Sequence, residues 1–169
     1  REEYKIKIGD ALLAMARSAA AGSEAQLQFL KFFPRFAVTE AHAKALRALL
    51  SGEEKLAGRE IDTDIKWDLL TGLVTIGAAD EAEIDAMLAT DNTANGQKAA
   101  AMAKGAIPTA EAKAKVWNTA VNTNEWSNTI LQYSTIGFGR GASAELLTPY
   151  VEKYFQDVMK MWTEKTFKM

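Results

Sequence analysis

DTDIKWDLLTGLVTIGAADEAEIDAMLATDNTANGQKAAAMAKGAIPTAEAKAKVWNTAV, residues 62–121, decides the fold, because it reads as four short helices joined by well-marked turns. Asp62 and Asp64 precede Ile65, Leu69, Leu73 and Ile76, apolar residues spaced along one helix face. Trp67, Leu70 and Val74 form a second arc, so this helix is expected to be covered on two sides. Gly77 ends it. Asp80 and Glu83 make an N-cap and capping-box pair for the next helix, which carries Ile84, Met87 and Leu88. Thr93 opens a third, alanine-rich helix closed by Gly105. Pro108 and Thr109 start a fourth, with Val116, Trp117, Ala120 and Val121 on its apolar side. Helices this short cannot each bury their own apolar face, which predicts a stacked helical array.

The flanks extend the pattern. Residues 1–8 (REEYKIKI) alternate polar and apolar and read as a linker, with a strand as the alternative. Asp10 is the expected cap of the first helix, which carries Leu12, Leu13 and Ala16 and ends near Gly22. Ser23 with Gln26 gives a capping box for a second helix through Leu27, Phe29, Leu30 and Phe33, and Pro34 predicts a stop or kink there. Thr39 caps residues 40–50, Gly52 follows, and residues 51–61 (SGEEKLAGREI) form a loop. Downstream, a turn at 122–124 leads to a helix over 125–136 holding Trp126, Ile130 and Leu131, broken by GFGRG at 137–141. Ser143 caps a long amphipathic helix with Leu146, Leu147, Tyr150, Val151, Tyr154, Phe155, Val158 and Trp162, with Pro149 in its early turns. Alternating strand-like runs are lacking beyond the amino terminus. The expected fold is all-α: an irregular right-handed α-α superhelix, HEAT/armadillo-like, of about eight to nine short helices. Residues 1–169 are expected to form a single helical domain that is a fragment of a larger chain.

Composition narrows the function classes. The 169 residues suffice for one substantial core, and a net charge of -2 argues against nucleic-acid binding. Zero cysteines exclude disulfides and thiolate metal sites and suit a reducing compartment, so a cytoplasmic location is expected. Apolar runs fall far short of the ~20 residues that span a bilayer. Lys160, Lys165 and Lys168 are too sparse for a membrane-binding basic face.

The segments DTDIKWDLL, GAADEAEIDAMLATDNTANGQKAA and PTAEAKAKVWNTAV within 62–121, with LTPYVEKYF at 147–155, resemble the C-terminal helical domain of bacterial aminopeptidase N, nearest its actinobacterial branch. That family is a zinc metallopeptidase family that keeps its chemistry in an earlier domain. The resemblance implies a non-catalytic part of an enzyme that removes N-terminal residues from peptides. It further implies packing on the catalytic domain of the same chain and control over which peptide substrates reach its cavity. The family's zinc site needs His-Glu-x-x-His, two imidazoles on one helix face with a glutamate to activate water. This chain has one histidine, His42, and lacks the family's Gly-x-Met-Glu-Asn signature, so no catalytic and no metal residue carries over. Zinc is expected in the parent enzyme and not in this fragment.

Remaining features have plain readings. His42 lies four and seven residues before Leu46 and Leu49, on the apolar side of its helix, and reads as a packed histidine. Glu60, Asp62, Asp64 and Asp68, and again Asp80, Glu81, Glu83 and Asp85, cluster at helix starts, where the positive end of the helix dipole favours carboxylates. Trp67, Trp117, Trp126 and Trp162 read as core packing, and Glu111 with Lys115 as a surface pair. GFGRG follows a helix rather than a strand, which makes it a turn and not a phosphate loop. Arg140, its one charge, is the candidate for meeting the carboxyl end of a peptide substrate. The alternative function is a free-standing helical solenoid whose concave face binds a peptide or partner protein.

Overall fold

A computed structural model of the chain describes residues 2–141 and 143–164. The described residues form nine helices and no strand: α1 (Glu2–Ser18), α2 (Glu24–Phe36), α3 (Glu40–Ser51), α4 (Thr63–Thr75), α5 (Glu81–Thr90), α6 (Ala94–Ala106), α7 (Ala110–Asn122), α8 (Asn128–Phe138) and α9 (Ala144–Glu164). The all-α class is the one the sequence predicts. The chain divides into two compact units, Arg1–Asp80 and Glu81–Met169.

Local chemistry explains most helix starts. Side-chain oxygens of Ser23, Thr39, Asp62, Thr93, Thr109 and Ser127 each accept a backbone N–H three residues on, satisfying a donor that the first turn leaves unpaired. Five of these were legible as caps; Ser127 was not, because the eighth helix was expected to start earlier and to include Trp126. The Ser143 hydroxyl likewise accepts the Leu146 N–H at 3.3 Å. Gln26 departs from a standard capping box: its Oε1 accepts from the Gly22 N–H, and its Nε2 donates to the Ala57 carbonyl.

Other boundaries also differ from expectation. Residues 2–8, expected to be a linker, are part of α1, which begins at Glu2 with its acidic residues in the favourable first turn and a Glu3–Lys7 pair at 2.7 Å. Asp10 is therefore inside α1 rather than its cap. Helix α2 runs through Pro34 to Phe36, and Pro34 is buried where Gly72 of α4 comes close. Gly105 does not close α6, nor does Gly137 break α8; both lie within the helices, at the place where these two backbones meet.

The first unit is built on large aliphatic side chains. Leu13, Leu30, Phe33, Leu46, Leu49, Ile65, Leu69 and Leu73 form one core cluster, with Leu56 reaching in from the loop before α4. Trp67, Leu70 and Val74 are buried too, so α4 is covered on both arcs. The second unit buries mostly small residues. Ala100, Ala103, Gly105 and Ala106 of α6 pack against Ser134 and Gly137 of α8. A Cβ on Gly137 would lie 2.0 Å from the Met102 carbonyl oxygen, and one on Gly105 would lie 2.4 Å from that of Ser134. Neither position has room for a side chain, and that permits the backbone contact.

Candidate functional site

His42 is 1% exposed and fully engaged. Its Nδ1 accepts the Val38 backbone N–H at 3.1 Å, which leaves the ring proton on Nε2, facing Asp10 Oδ1 at 2.9 Å. The ring also meets Phe33 edge to face at 5.5 Å. It is a packed histidine, as its position on the helix predicts. The zinc site implied for the parent family does not fit this chain. The sole histidine spends both nitrogens on structure, and the described residues hold no group of three or more potential metal ligands.

Of the four tryptophans, Trp67 is core and Trp126 is half-buried. Trp126 borders two hollows of the second unit. One, of about 170 Å³, is lined by polar residues including Thr119, Asn124 and Asn128. The other, of about 240 Å³, is walled by Leu88, Val116, Ile130 and the small residues of α6. Lys104 at its edge is bound to Asp85 at 2.7 Å and Glu81 at 3.4 Å. Burial pulls its ammonium down, but these carboxylates outweigh that and hold it above its usual range. Trp162 corrects the expectation of core packing. It is 73% exposed.

Trp162 belongs to an apolar stripe along α9. Val151, Phe155, Met159 and Trp162 follow at intervals of four, four and three, so they share one helix face, and Tyr154, one turn after Tyr150, is exposed beside it. All five are exposed by half or more. Helix α9 meets its unit along the adjoining face, where Tyr150 is buried and Leu146, Leu147, Asp157, Val158 and Met161 are half-buried. The Trp117 ring lies 5.1 Å from Tyr150 and 5.9 Å from Phe138, and its indole N–H donates to Asp157 Oδ2 at 3.0 Å. Burial raises the Tyr150 phenol above its usual range. In the first unit, α1 carries a similar stripe: Tyr4, Ile8 and Met15 are exposed along one face.

Arg140 follows α8, its backbone N–H donating to the Gly137 carbonyl at 2.9 Å, and its side chain is half-buried. It thus stands on the turn where the sequence puts it. The acidic clusters begin α4 and α5, with Asp62 serving as a cap. Lys115 turns toward Glu81, at 3.6 Å.

Lys113 escaped sequence reasoning. It is completely buried, with Nζ donating to the carbonyls of Gly105 at 2.7 Å and Phe138 at 2.9 Å. Those carbonyls belong to the last turns of α6 and α8, whose negative dipole ends converge on the ammonium. The Phe138 ring adds a cation–π contact at 5.2 Å. Burial nonetheless lowers its pKa to about 8. A signal was available: Lys113 precedes Val116, Trp117 and Ala120 by three, four and seven residues, so it falls on the apolar face of α7.

Comparison with known proteins gives two matches. A family model described as ERAP1-like C-terminal domain matches residues 3–169. Aminopeptidase N of Streptomyces lividans is 33% identical over 169 residues, covering 100% of this chain and 20% of that protein. The chain therefore spans about a fifth of the length of the relative it matches.

Proposed function

Because the chain belongs to the ERAP1-like C-terminal domain family, we propose that it acts as the non-catalytic C-terminal domain of a zinc-dependent aminopeptidase that removes N-terminal residues from peptides. In this reading it packs on the catalytic domain of the same polypeptide and limits which peptides reach the cavity. The observation that carries the proposal is the α9 stripe. Val151, Tyr154, Phe155, Met159 and Trp162 are five large apolar side chains of one helix that are each exposed by half or more, the kind of patch that marks an interaction surface. Such a face marks a place where protein belongs. The α1 stripe adds to the same argument. Zinc and the catalytic groups would come from the earlier domain, since this chain's donors do not form such a site. Enclosing a cavity excludes water and selects substrates by size. The cysteine-free composition extends the proposal to a reducing, cytoplasmic setting.

Expressing this chain apart from the preceding part of its parent polypeptide tests the packing. The two pieces are expected to form a 1:1 complex that Phe155→Asp with Trp162→Asp abolishes; failure of the unmodified pieces to associate refutes it. The cavity role is tested through Arg140. In the intact enzyme, Arg140→Ala is expected to raise KM for long peptides several-fold while leaving dipeptides unaffected. Equal kinetics at every peptide length would remove Arg140 from substrate binding.

A further inference from the structure

The apolar hollow of about 240 Å³ in the second unit owes its space to two alanines. Gln97, Ala100, Ala101 and Lys104 follow one another along a single face of α6. The outer two are long side chains and the inner two end at Cβ, so the helix face is scooped between them. Leu88 of α5, Val116 of α7 and Ile130 of α8 wall the gap, and Trp126 adds an aromatic side. A dry apolar cavity of about 150 Å³ is enough to bind benzene, so this one has room for a ring and a small substituent.

One polar group narrows what fits. Ser134 lines the hollow one turn after Ile130 and is 3% exposed, and its hydroxyl has no hydrogen-bond partner among the described residues. Its neighbour Thr135 instead bonds back to the Leu131 carbonyl at 2.7 Å, the usual outlet for a hydroxyl within a helix. A buried hydroxyl without a partner costs free energy, which a ligand's polar group recovers. The charges at the rim are already spent. Lys104 meets Asp85 at 2.7 Å and Glu81 at 3.4 Å, and Lys115 meets Glu81 at 3.6 Å. An anion would have to draw a lysine from its carboxylates, and a cation would compete with a lysine for either of them. The Gln97 amide is likewise engaged, its Nε2 donating to Asn92 Oδ1 at 3.1 Å.

We propose that this hollow binds a small, uncharged aromatic molecule with one hydroxyl, of the phenol class, its ring beside Trp126 and its hydroxyl on Ser134. The ring gains aromatic contact as well as apolar burial, and the serine can either donate to the ligand or accept from it. The site lies wholly within the second unit and does not depend on the proposed parent enzyme.

Titrating the 169-residue chain with p-cresol, while following the indole N–H signals of its four tryptophans by NMR, tests the proposal. The Trp126 signal, identified by its loss in Trp126→Phe, is expected to shift and saturate. Toluene, the same molecule without the hydroxyl, is expected to bind about tenfold more weakly, the worth of one hydrogen bond. Ser134→Ala should bring p-cresol down to the level of toluene and leave toluene itself unchanged, a pattern that loss of structure would not give. Ala101→Leu, which fills the floor, should abolish binding of both while the other three indole signals keep their positions. Benzoate is expected not to bind, and N-acetyltyrosinamide, the same phenol on a peptide backbone, to bind no better than toluene. No saturable shift with p-cresol, equal affinity for toluene, or an equal effect of Ser134→Ala on both ligands overturns the proposal. Tighter binding of benzoate or of N-acetyltyrosinamide than of p-cresol overturns it too, in favour of an anion or a peptide side chain.

Discussion

The two units solve the same packing problem with opposite materials. In the first, α2, α3 and α4 face one another through leucines, isoleucine and phenylalanine, and the core is a cluster of side chains. In the second, α6 and α8 are drawn together until backbone meets backbone, and what lies between them is alanine, glycine, a serine and the stem of a buried lysine. Stability in the first case follows the apolar area removed from water. In the second it rests on close approach and on carbonyls that need a donor. The contrast teaches that two helical stacks in one chain differ in what a mutation does to them, and the expected effects run as follows.

Gly137→Val makes the largest change, since its Cβ would lie 2.0 Å from the Met102 carbonyl oxygen, which cannot fold away like a side chain. The expected loss exceeds about 3 kcal/mol. It should appear as rapid hydrogen exchange across α6 and α8 with α2–α4 still protected. Protection lost equally in both units would break the distinction. Leu69→Ala is the mirror experiment, removing a fully buried side chain from the first unit. It is expected to cost about 3 kcal/mol by chemical denaturation, through lost transfer energy and a cavity.

Lys113 sharpens the comparison by pH. Its folded pKa of about 8 lies below the ordinary lysine value of 10.5, so between these values the unfolded chain binds the extra proton. Stability then rises with pH across that window, and the contribution is lost as pH falls through about 8. The full gain is on the order of 3 kcal/mol, since one pKa unit corresponds to about 1.4 kcal/mol. Urea midpoints measured from pH 7.5 to 10 should show this slope for exchange in the second unit, and Lys113→Met should flatten it. The smallest effect is expected at a cap. Thr93→Ala removes the acceptor for the Gly96 N–H and should cost about 1 kcal/mol by the same urea assay.

Legibility in the sequence follows the same divide. The first unit's core was readable because Ile65, Leu69 and Leu73 repeat at helical spacing, and large aliphatic side chains announce which face is buried. Gly105 and Gly137 sent the opposite signal. A glycine near a helix end reads as a terminator, and only the neighbouring helix reveals that the missing side chain serves a contact. Residues 1–8 misled for a related reason. Tyr4 and Ile8 are apolar yet exposed, so the usual link between apolar spacing and burial fails there. The same failure at Trp162 and Phe155 is informative, because it locates the surface on which the proposed function rests. The family resemblance, carried mainly by residues 62–121, reached further than any single motif.

The central claim is that this chain works as part of a much longer aminopeptidase, and the size of the native polypeptide tests it most directly. An antibody raised against the 169 residues is predicted to detect a band several-fold above 18.5 kDa in source cells. Its immunoprecipitate should release N-terminal amino acids from peptides and lose that activity to a zinc chelator. A band near 18.5 kDa without peptidase activity would contradict the account and leave an independent helical binding module in its place.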